Sequence, residues 1–154
     1  MNRIYYLFEL IINNIFISEK INKNIVQSEL VPGEQWLFKS LKRRKYMPAV
    51  WFKLYRREFI LNNNLKFVAG LINEDQLYSI QAFIKASRVT AVNVPFYRYR
   101  HRKGSISKTK DASNAIKRIE SDLHTTYELD KLTSKMVNKS LRSMILGRCL
   151  KLLE

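Results

Sequence analysis

The sequence predicts an α/β chain that is rich in helix, with a few short strands and helices at its C-terminal end. Apolar residues recur at helical spacing in three places: Leu77, Ile80, Phe83 and Ile84; Ile116, Ile119, Leu123 and Tyr127; and Met136, Leu141, Met144, Ile145 and Leu152. Val89 to Val94 is rich in β-formers, and Phe96-Tyr97-Arg98-Tyr99-Arg100 alternates aromatic and basic side chains as a half-buried strand does. With 154 residues, 46% of them hydrophobic, the chain can bury one modest core and is unlike a disordered segment.

The elements follow in order. Ile4 to Ile17 is strongly apolar, although Glu9, Asn13 and Asn14 interrupt it. It reads as a buried amphipathic helix over residues 4 to 18, while its Ile and Tyr content permits a strand. At 14 residues it falls short of the roughly 20 that span a bilayer. Only Arg3 precedes it and no small-residue cleavage site follows, so it does not resemble a signal peptide. Peripheral contact with a membrane is its other use.

Residues 19 to 31 are polar and loop-like, and Pro32-Gly33 marks a turn or helix start. A helix is expected over Glu34 to Lys45, with Trp36, Leu37, Ser40 and Leu41 near one face and a cationic last turn suited to the helix dipole. Pro48 ends any continuation. Val50 to Asn62 reads as a second helix, with Val50, Leu54, Phe59 and Leu61 apolar and Lys53, Arg56, Arg57 and Glu58 facing solvent. Asn62 to Asn64 is turn-prone, and Leu65-Lys66-Phe67 reads as a short extended piece leading to Gly70. Asn73 is placed to cap a third helix, Glu74 to Ala86, whose first turn would hold Glu74 and Asp75 where the dipole favours carboxylates. His101 to Lys110 has the composition of a basic loop, and helix follows from Ala112.

Charge and absences narrow the function. Lys and Arg number 28 against 13 Asp and Glu, a net charge of +15 that favours anionic partners: nucleic acid, phosphorylated small molecules or an acidic membrane face. Cys149 is the single cysteine, and His101 and His124 are the two histidines, which argues against a disulfide framework and a structural zinc site. The four glycines are too scattered for a phosphate-cradling loop or a dinucleotide fingerprint. No two aspartates stand at i and i+2, so there is no Asp-x-Asp pair to hold a metal ion against a diphosphate.

Two segments remain that could carry chemistry. Glu74-Asp75 lies at a loop-to-helix junction, where a carboxylate can serve as general base if its surroundings bring its pKa near working pH. Capping and dipole effects account equally well for an acidic pair there. The segment from Phe96 to Ser105 offers Arg forks for phosphate, with Gly104 allowing close backbone approach. Its interleaved aromatics would also suit stacked bases, and a solvated edge strand explains the same pattern.

The order of the pieces separates these readings. The run from Tyr46 to Phe59, with Trp51-Phe52-Lys53-Leu54-Tyr55-Arg56-Arg57 at its centre, resembles the segment after the donor-binding half of bacterial family-2 glycosyltransferases. There, as here, a polar link (Asn62 to Asn64), an apolar Phe (Phe67) and an x-Glu-Asp motif opening a helix (Asn73-Glu74-Asp75) come next. A Pro-x-Tyr-x-Tyr-Arg segment, Pro95 to Arg100, and a basic stretch with Gly104-Ser105-Ile106-Ser107 then complete the pattern. Pro32-Gly33-Glu34 is similar to the Gly-Glu that opens the preceding helix. The likeness covers about half of the chain; residues 1 to 28 and 110 to 154 match in character alone.

The resemblance implies a partial GT-A-like fold and an inverting hexosyltransferase-type reaction in surface polysaccharide synthesis. It implies Asp75 as the base that takes the proton of an acceptor hydroxyl, with Glu74 holding the helix start or touching the acceptor. Trp51 and Ser105 are implied to contact substrate, and Arg100, His101 and Arg102 to offset charge on the departing nucleoside diphosphate. The implied partners are a nucleotide-sugar donor and a glycan or lipid-linked acceptor, at a cytoplasmic site or the inner face of the cell membrane.

The departures matter as much. The family's nucleotide-binding units and Asp-x-Asp metal site have no counterpart, and residues 1 to 31 cannot supply the about 100 residues such a unit needs. The expectation is therefore an acceptor-side portion over residues 1–110 and a helical extension over 111–154, incomplete alone. No cofactor is expected in this chain, and Mg or Mn only with the missing donor-binding half. The alternative is a small basic nucleic-acid-binding domain, disfavoured because no recognised nucleic-acid motif is present. It makes a distinct prediction: binding to any oligonucleotide, measured by fluorescence anisotropy, with affinity falling steeply as salt rises.

Overall fold

A computed structural model describes residues 3–7, 30–92 and 112–150. Chain order is strand β1 (Arg3–Leu7), helix α1 (Gly33–Lys42), a 3-10 turn (Val50–Phe52), strand β2 (Lys53–Tyr55), helix α2 (Arg57–Asn62), helix α3 (Asp75–Lys85), strand β3 (Arg88–Val92), helix α4 (Ala112–Thr133) and helix α5 (Lys139–Leu150). The strands form one sheet in the order β2-β1-β3. β1 lies antiparallel to β2, with Tyr5 opposite Leu54, and parallel to β3, with Tyr5 opposite Thr90. Val31 adds a single antiparallel bridge to Val89, closed by bonds of 3.0 and 2.7 Å. Helix-rich with few strands, this is compatible with a partial α/β fold.

The first apolar segment departs from the helix expected over residues 4 to 18. Arg3 to Leu7 is the central strand, and residues 8–18 lie outside the described ones. Its run of Ile and Tyr favours the extended state, and both strand edges are paired. The expected helix over Val50 to Asn62 is also corrected. It divides into the 3-10 turn, β2 and α2, because Lys53 to Tyr55 are drawn straight to pair with β1. Lys53, expected to face solvent, is 5% exposed, whereas Leu54 and Leu61, expected to pack inward, are exposed.

α1 ends at Lys42, before the cationic run is complete; Arg44 adopts a left-handed φ of 54° and closes the C-terminus with a bond from its N–H to the Leu41 carbonyl. Leu65 to Phe67 is not a strand, and Phe67 instead lies flat on the Tyr78 ring with centroids 4.3 Å apart. The basic segment Phe96 to Arg100 lies outside the described residues.

α3 is the hub. Gln76, Leu77, Tyr78, Ser79, Ile80, Ala82 and Phe83 are all buried, so the helix is enclosed on most of its circumference rather than along one stripe. α1 packs on it, α4 and α5 pack on each other, α4 also meets α3 and α5 meets α1. Leu129, Met136, Leu141, Ile145 and Cys149 from the C-terminal region join the same core as Leu37, Phe59 and Phe83. α5 begins at a capped end, where Asn138 Oδ1 accepts the Leu141 N–H at 2.9 Å.

α4 does not pack through its apolar stripe. Ser121, Thr125, Leu129 and Thr133 are buried, four residues apart, so a ridge of mostly small side chains lets the helix approach its neighbours closely. Ile116, Ile119, Leu123 and Tyr127 are consequently exposed. Buried hydroxyls are tolerated because Ser121 and Thr133 donate back to the carbonyls of Lys117 and Leu129, both at 2.7 Å.

One close contact fixes the start of α1 against the end of α3. The Gly33 N–H donates to the Ala86 carbonyl at 2.9 Å, and a Cβ on Gly33 would stand 2.1 Å from the Phe83 carbonyl oxygen and 2.9 Å from the Ala86 Cβ. Gly33→Ala would gain roughly 0.5–1 kcal/mol in helix propensity. Overpacking against a fixed backbone carbonyl costs about 1–3 kcal/mol and outweighs that gain. The variant is therefore expected to be less stable by about 1–2 kcal/mol, read as a lower urea midpoint at unchanged m-value.

Candidate functional site

The cleft opens at the N-terminus of α3. Its volume is about 520 Å³, and its lining comes from four segments: Pro48–Ala49, residues 71–76, Arg118 of α4 and Arg148 of α5. Glu74 and Asp75 are thus brought together at the cleft. Trp51 stands on the adjoining 3-10 turn, half-buried against the Phe52 ring with centroids 3.7 Å apart, but is not part of the lining. Arg100, His101, Arg102 and Ser105 lie outside the described residues.

The helix start differs from the expected cap. α3 begins at Asp75, Glu74 occupies the N-cap position, and no side chain caps the N–H groups. Asn73 is instead the hinge into the helix: its φ is 62°, a left-handed conformation that Asn tolerates better than most residues. Its side chain turns to Asp122 of α4 as a hydrogen-bond partner. Beside it the Ile72 N–H donates to Ser121 Oγ at 3.0 Å. Two residues of α4 therefore hold the loop that leads into Glu74-Asp75.

The opposite wall is held by Lys53. Its Nζ donates to the carbonyls of Met47, Pro48 and Ala49 at 2.9, 2.9 and 2.7 Å. An ammonium has three N–H donors, and all three are used. The Ser79 hydroxyl of α3 donates to the Pro48 carbonyl as well. With the segment pinned, the Val50 N–H donates to Asp75 Oδ2 at 3.3 Å. The sequence offered one signal for this arrangement: a lysine set directly between the apolar pairs Trp51-Phe52 and Leu54-Tyr55.

Burial raises the proton affinity of Asp75. The Val50 N–H lowers it, the neighbouring Glu74 charge raises it and the Lys53 charge lowers it. The net is a carboxyl above its ordinary pKa, hence a stronger base. Burial pushes Lys53 the other way, down to about 7, opposed by the Asp75 carboxylate. The three carbonyls that need a full ammonium oppose it too.

Arg148 is built into the cleft through two side-chain contacts. Its guanidinium lies 5.0 Å from the centroid of the buried Tyr46 ring, and its Nε donates to Gln76 Oε1 at 3.3 Å. Arg118 lowers the pKa of Asp122, which burial raises. Neither arginine stood out in the sequence, because each lies on a helix whose apolar residues dominate the pattern. Among the described residues no three His, Cys, Asp or Glu side chains converge where a metal ion could sit. No helix among them is long and apolar enough to cross a membrane.

The shift on Lys53 makes stability depend on pH with a definite sign. Below pH 7 both folded and unfolded states hold the proton, and burying the ammonium carries its full cost. Above it the folded state releases the proton before the unfolded state does, so stability rises with pH. The Cys149 thiol, raised by burial above its usual value of 9.0, acts oppositely at higher pH and closes the window. Urea unfolding between pH 7 and 9 is expected to show midpoints that rise with pH, and to lose that slope in Lys53→Met. That variant should also lose about 2–4 kcal/mol, since three carbonyls lose their donor.

No protein-family model matches the chain. Two proteins are similar to it over part of their length. An uncharacterized glycosyltransferase of Escherichia coli (strain K12), YibD, is 29% identical over 113 residues, which is 71% of this chain and 32% of that protein. The cholesterol galactosyltransferase of Borreliella burgdorferi (strain ATCC 35210) is 43% identical over 61 residues, 40% of this chain and 17% of that protein. The chain therefore spans about a third of the first relative and less of the second. These matches make the chain similar to part of a glycosyltransferase; they do not favour a nucleic-acid-binding domain.

Proposed function

We propose that the chain supplies the acceptor side of an inverting family-2, GT-A-type glycosyltransferase, with Asp75 as general base. The observation that carries this reading is Asp75 itself: a half-buried carboxylate at the cleft, oriented by the Val50 N–H, with its proton affinity raised by burial. In the reaction an acceptor hydroxyl oxygen attacks the anomeric carbon while Asp75 takes the hydroxyl proton. The bond from that carbon to the nucleoside diphosphate breaks, and the diphosphate leaves with the electron pair. A single displacement inverts the anomeric centre.

In this reading Glu74 flanks the base or touches the acceptor, and Trp51 and Ser105 contact substrate. Arg100, His101 and Arg102 offset the leaving-group charge. Residues 1–110 form the acceptor-side portion and 111–154 a helical extension that completes the cleft through Arg118 and Arg148. A divalent ion, Mg or Mn, would neutralise diphosphate charge when bound; the residues of this cleft do not fit it, since Glu74 and Asp75 have no third ligand among the described residues. It belongs with the donor-binding half that residues 1–154 do not supply, and these residues alone are proposed to be inactive. The transfer is of hexosyl type, to a glycan or lipid-linked acceptor in surface polysaccharide synthesis. It takes place in the cytoplasm or at the inner face of the membrane, with peripheral contact.

Sugar transfer is measured with nucleotide sugars, for the chain alone and for an enzyme reconstituted with a donor-binding half. Robust turnover by the chain alone overturns the division of labour. In the reconstituted enzyme, Asp75→Asn should lower kcat by about 100-fold or more with little change in acceptor KM. Wild-type rates in that variant remove the role. Because the ionised carboxylate is the active form and burial raises its pKa, activity should fall with decreasing pH at values above 3.8. Removing the Lys53 charge, which lowers that pKa, should move the limb further up.

A further inference from the structure

Arg148 is a held cation with no counter-charge of its own. It rests on the Tyr46 ring and bonds Gln76 through Nε, and among the described residues no carboxylate stands within ion-pair distance of it. Arginine on an aromatic face with a fixed Nε keeps its planar fork oriented, which is the geometry that takes a carboxylate or phosphate in two parallel bonds. Gln76 adds a second observation. It is 3% exposed and lines the cleft, and its Nε2 has only the Cys149 sulfur, a weak acceptor, beside it, with no oxygen or nitrogen partner. Sulfur satisfies a buried amide donor poorly, and a bound acceptor oxygen satisfies it better. Arg118 brings another guanidinium to the same cleft from α4.

We infer that this corner of the cleft binds an anionic group, a phosphate or carboxylate, carried by the acceptor sugar. Arg148 and the Gln76 amide hold it, and Arg118 adds its charge. The inference rests on the acceptor-side reading of the cleft. Gln76 follows Asp75 directly in α3, so the anion site and the base are set by one helical turn. A neutral sugar offers the Arg148 fork hydroxyl oxygens but no counter-charge. A sugar with an anionic substituent supplies that charge while its hydroxyl faces Asp75. Glu74 and Asp75 repel an anion at their own end, which gives the ligand one orientation.

The test is isothermal titration of the full chain with glucose 6-phosphate, with glucose, and with uridine diphosphate. Glucose 6-phosphate is expected to bind, and glucose to bind at least about 10-fold more weakly. Arg148→Gln and Arg118→Gln should each weaken glucose 6-phosphate, Arg148→Gln by about 10-fold or more, with Lys131→Gln on the exposed face of α4 leaving it unchanged. Arg148→Lys keeps the charge but loses the fork, and should bind between the two; it reads the site if the glutamine variant fails to fold. Equal binding of glucose and its phosphate overturns the inference. So does equal weakening by Lys131→Gln, which would assign the effect to the diffuse positive field. Uridine diphosphate that displaces glucose 6-phosphate with the same dependence on Arg148 overturns it in favour of the donor's diphosphate. Asp75→Asn separates this inference from the proposed reaction: it should bind glucose 6-phosphate at least as tightly as wild type, whatever its turnover.

Discussion

One wall of the cleft, and with it the setting of Asp75, depends on one ammonium group. Lys53 Nζ holds three consecutive carbonyls, and those carbonyls are what keep residues 47 to 49 from relaxing away from α3. An isolated charge in that position would be expensive to bury. Here each N–H finds an acceptor, and the Asp75 carboxylate lies close enough to favour the charged form. The arrangement is a structural clamp and an electrostatic device together. It fixes the wall that offers the Val50 N–H to Asp75, and it moderates the rise that burial gives the Asp75 pKa.

The floor of the cleft is held by an independent set of bonds. Ser121 and Asp122 of α4 engage Ile72 and Asn73, the two residues before the acidic pair. α4 can come close enough because its inward ridge is built from serine and threonine instead of large apolar residues. The cost of placing hydroxyls inside is met by bonds to the helix's own carbonyls. Wall and floor thus reach Asp75 from opposite ends of the sequence, which explains how a short acidic pair acquires a defined setting.

Much of the fold was legible in sequence, for identifiable reasons. α1, α3 and β3 carry local patterns strong enough to survive tertiary context, and Leu37, Leu77, Ile80 and Phe83 are buried as their spacing requires. Asp75 was singled out through the order of surrounding motifs, not through any property of its own, and the structure places it at the cleft. What sequence missed lies where long-range pairing overrides local preference. Arg3 to Leu7 became a strand because β2 and β3 are available on either side. Lys53 was placed in solvent because lysine usually is, and only the three carbonyls reveal why it is not. On α4 the apolar stripe marks the helix but not its packed face, which close approach decides, not hydrophobicity. Arg118 and Arg148 carried no local signal, since their meaning depends on which elements meet at the cleft.

The outward stripe of α4 has a consequence for how copies of this chain meet in solution. Ile116, Ile119, Leu123 and Tyr127 rise along the helix by about 17 Å, a narrow apolar strip on a molecule carrying a net charge of +15. At low ionic strength mutual repulsion holds such molecules apart beyond the reach of short-range apolar attraction. Added salt shortens that repulsion to about 8 Å at physiological strength and leaves the apolar strip untouched. Salt therefore acts in opposite senses on the two surfaces of this protein, loosening the grip of its arginines on anions while easing contact between its exposed helices.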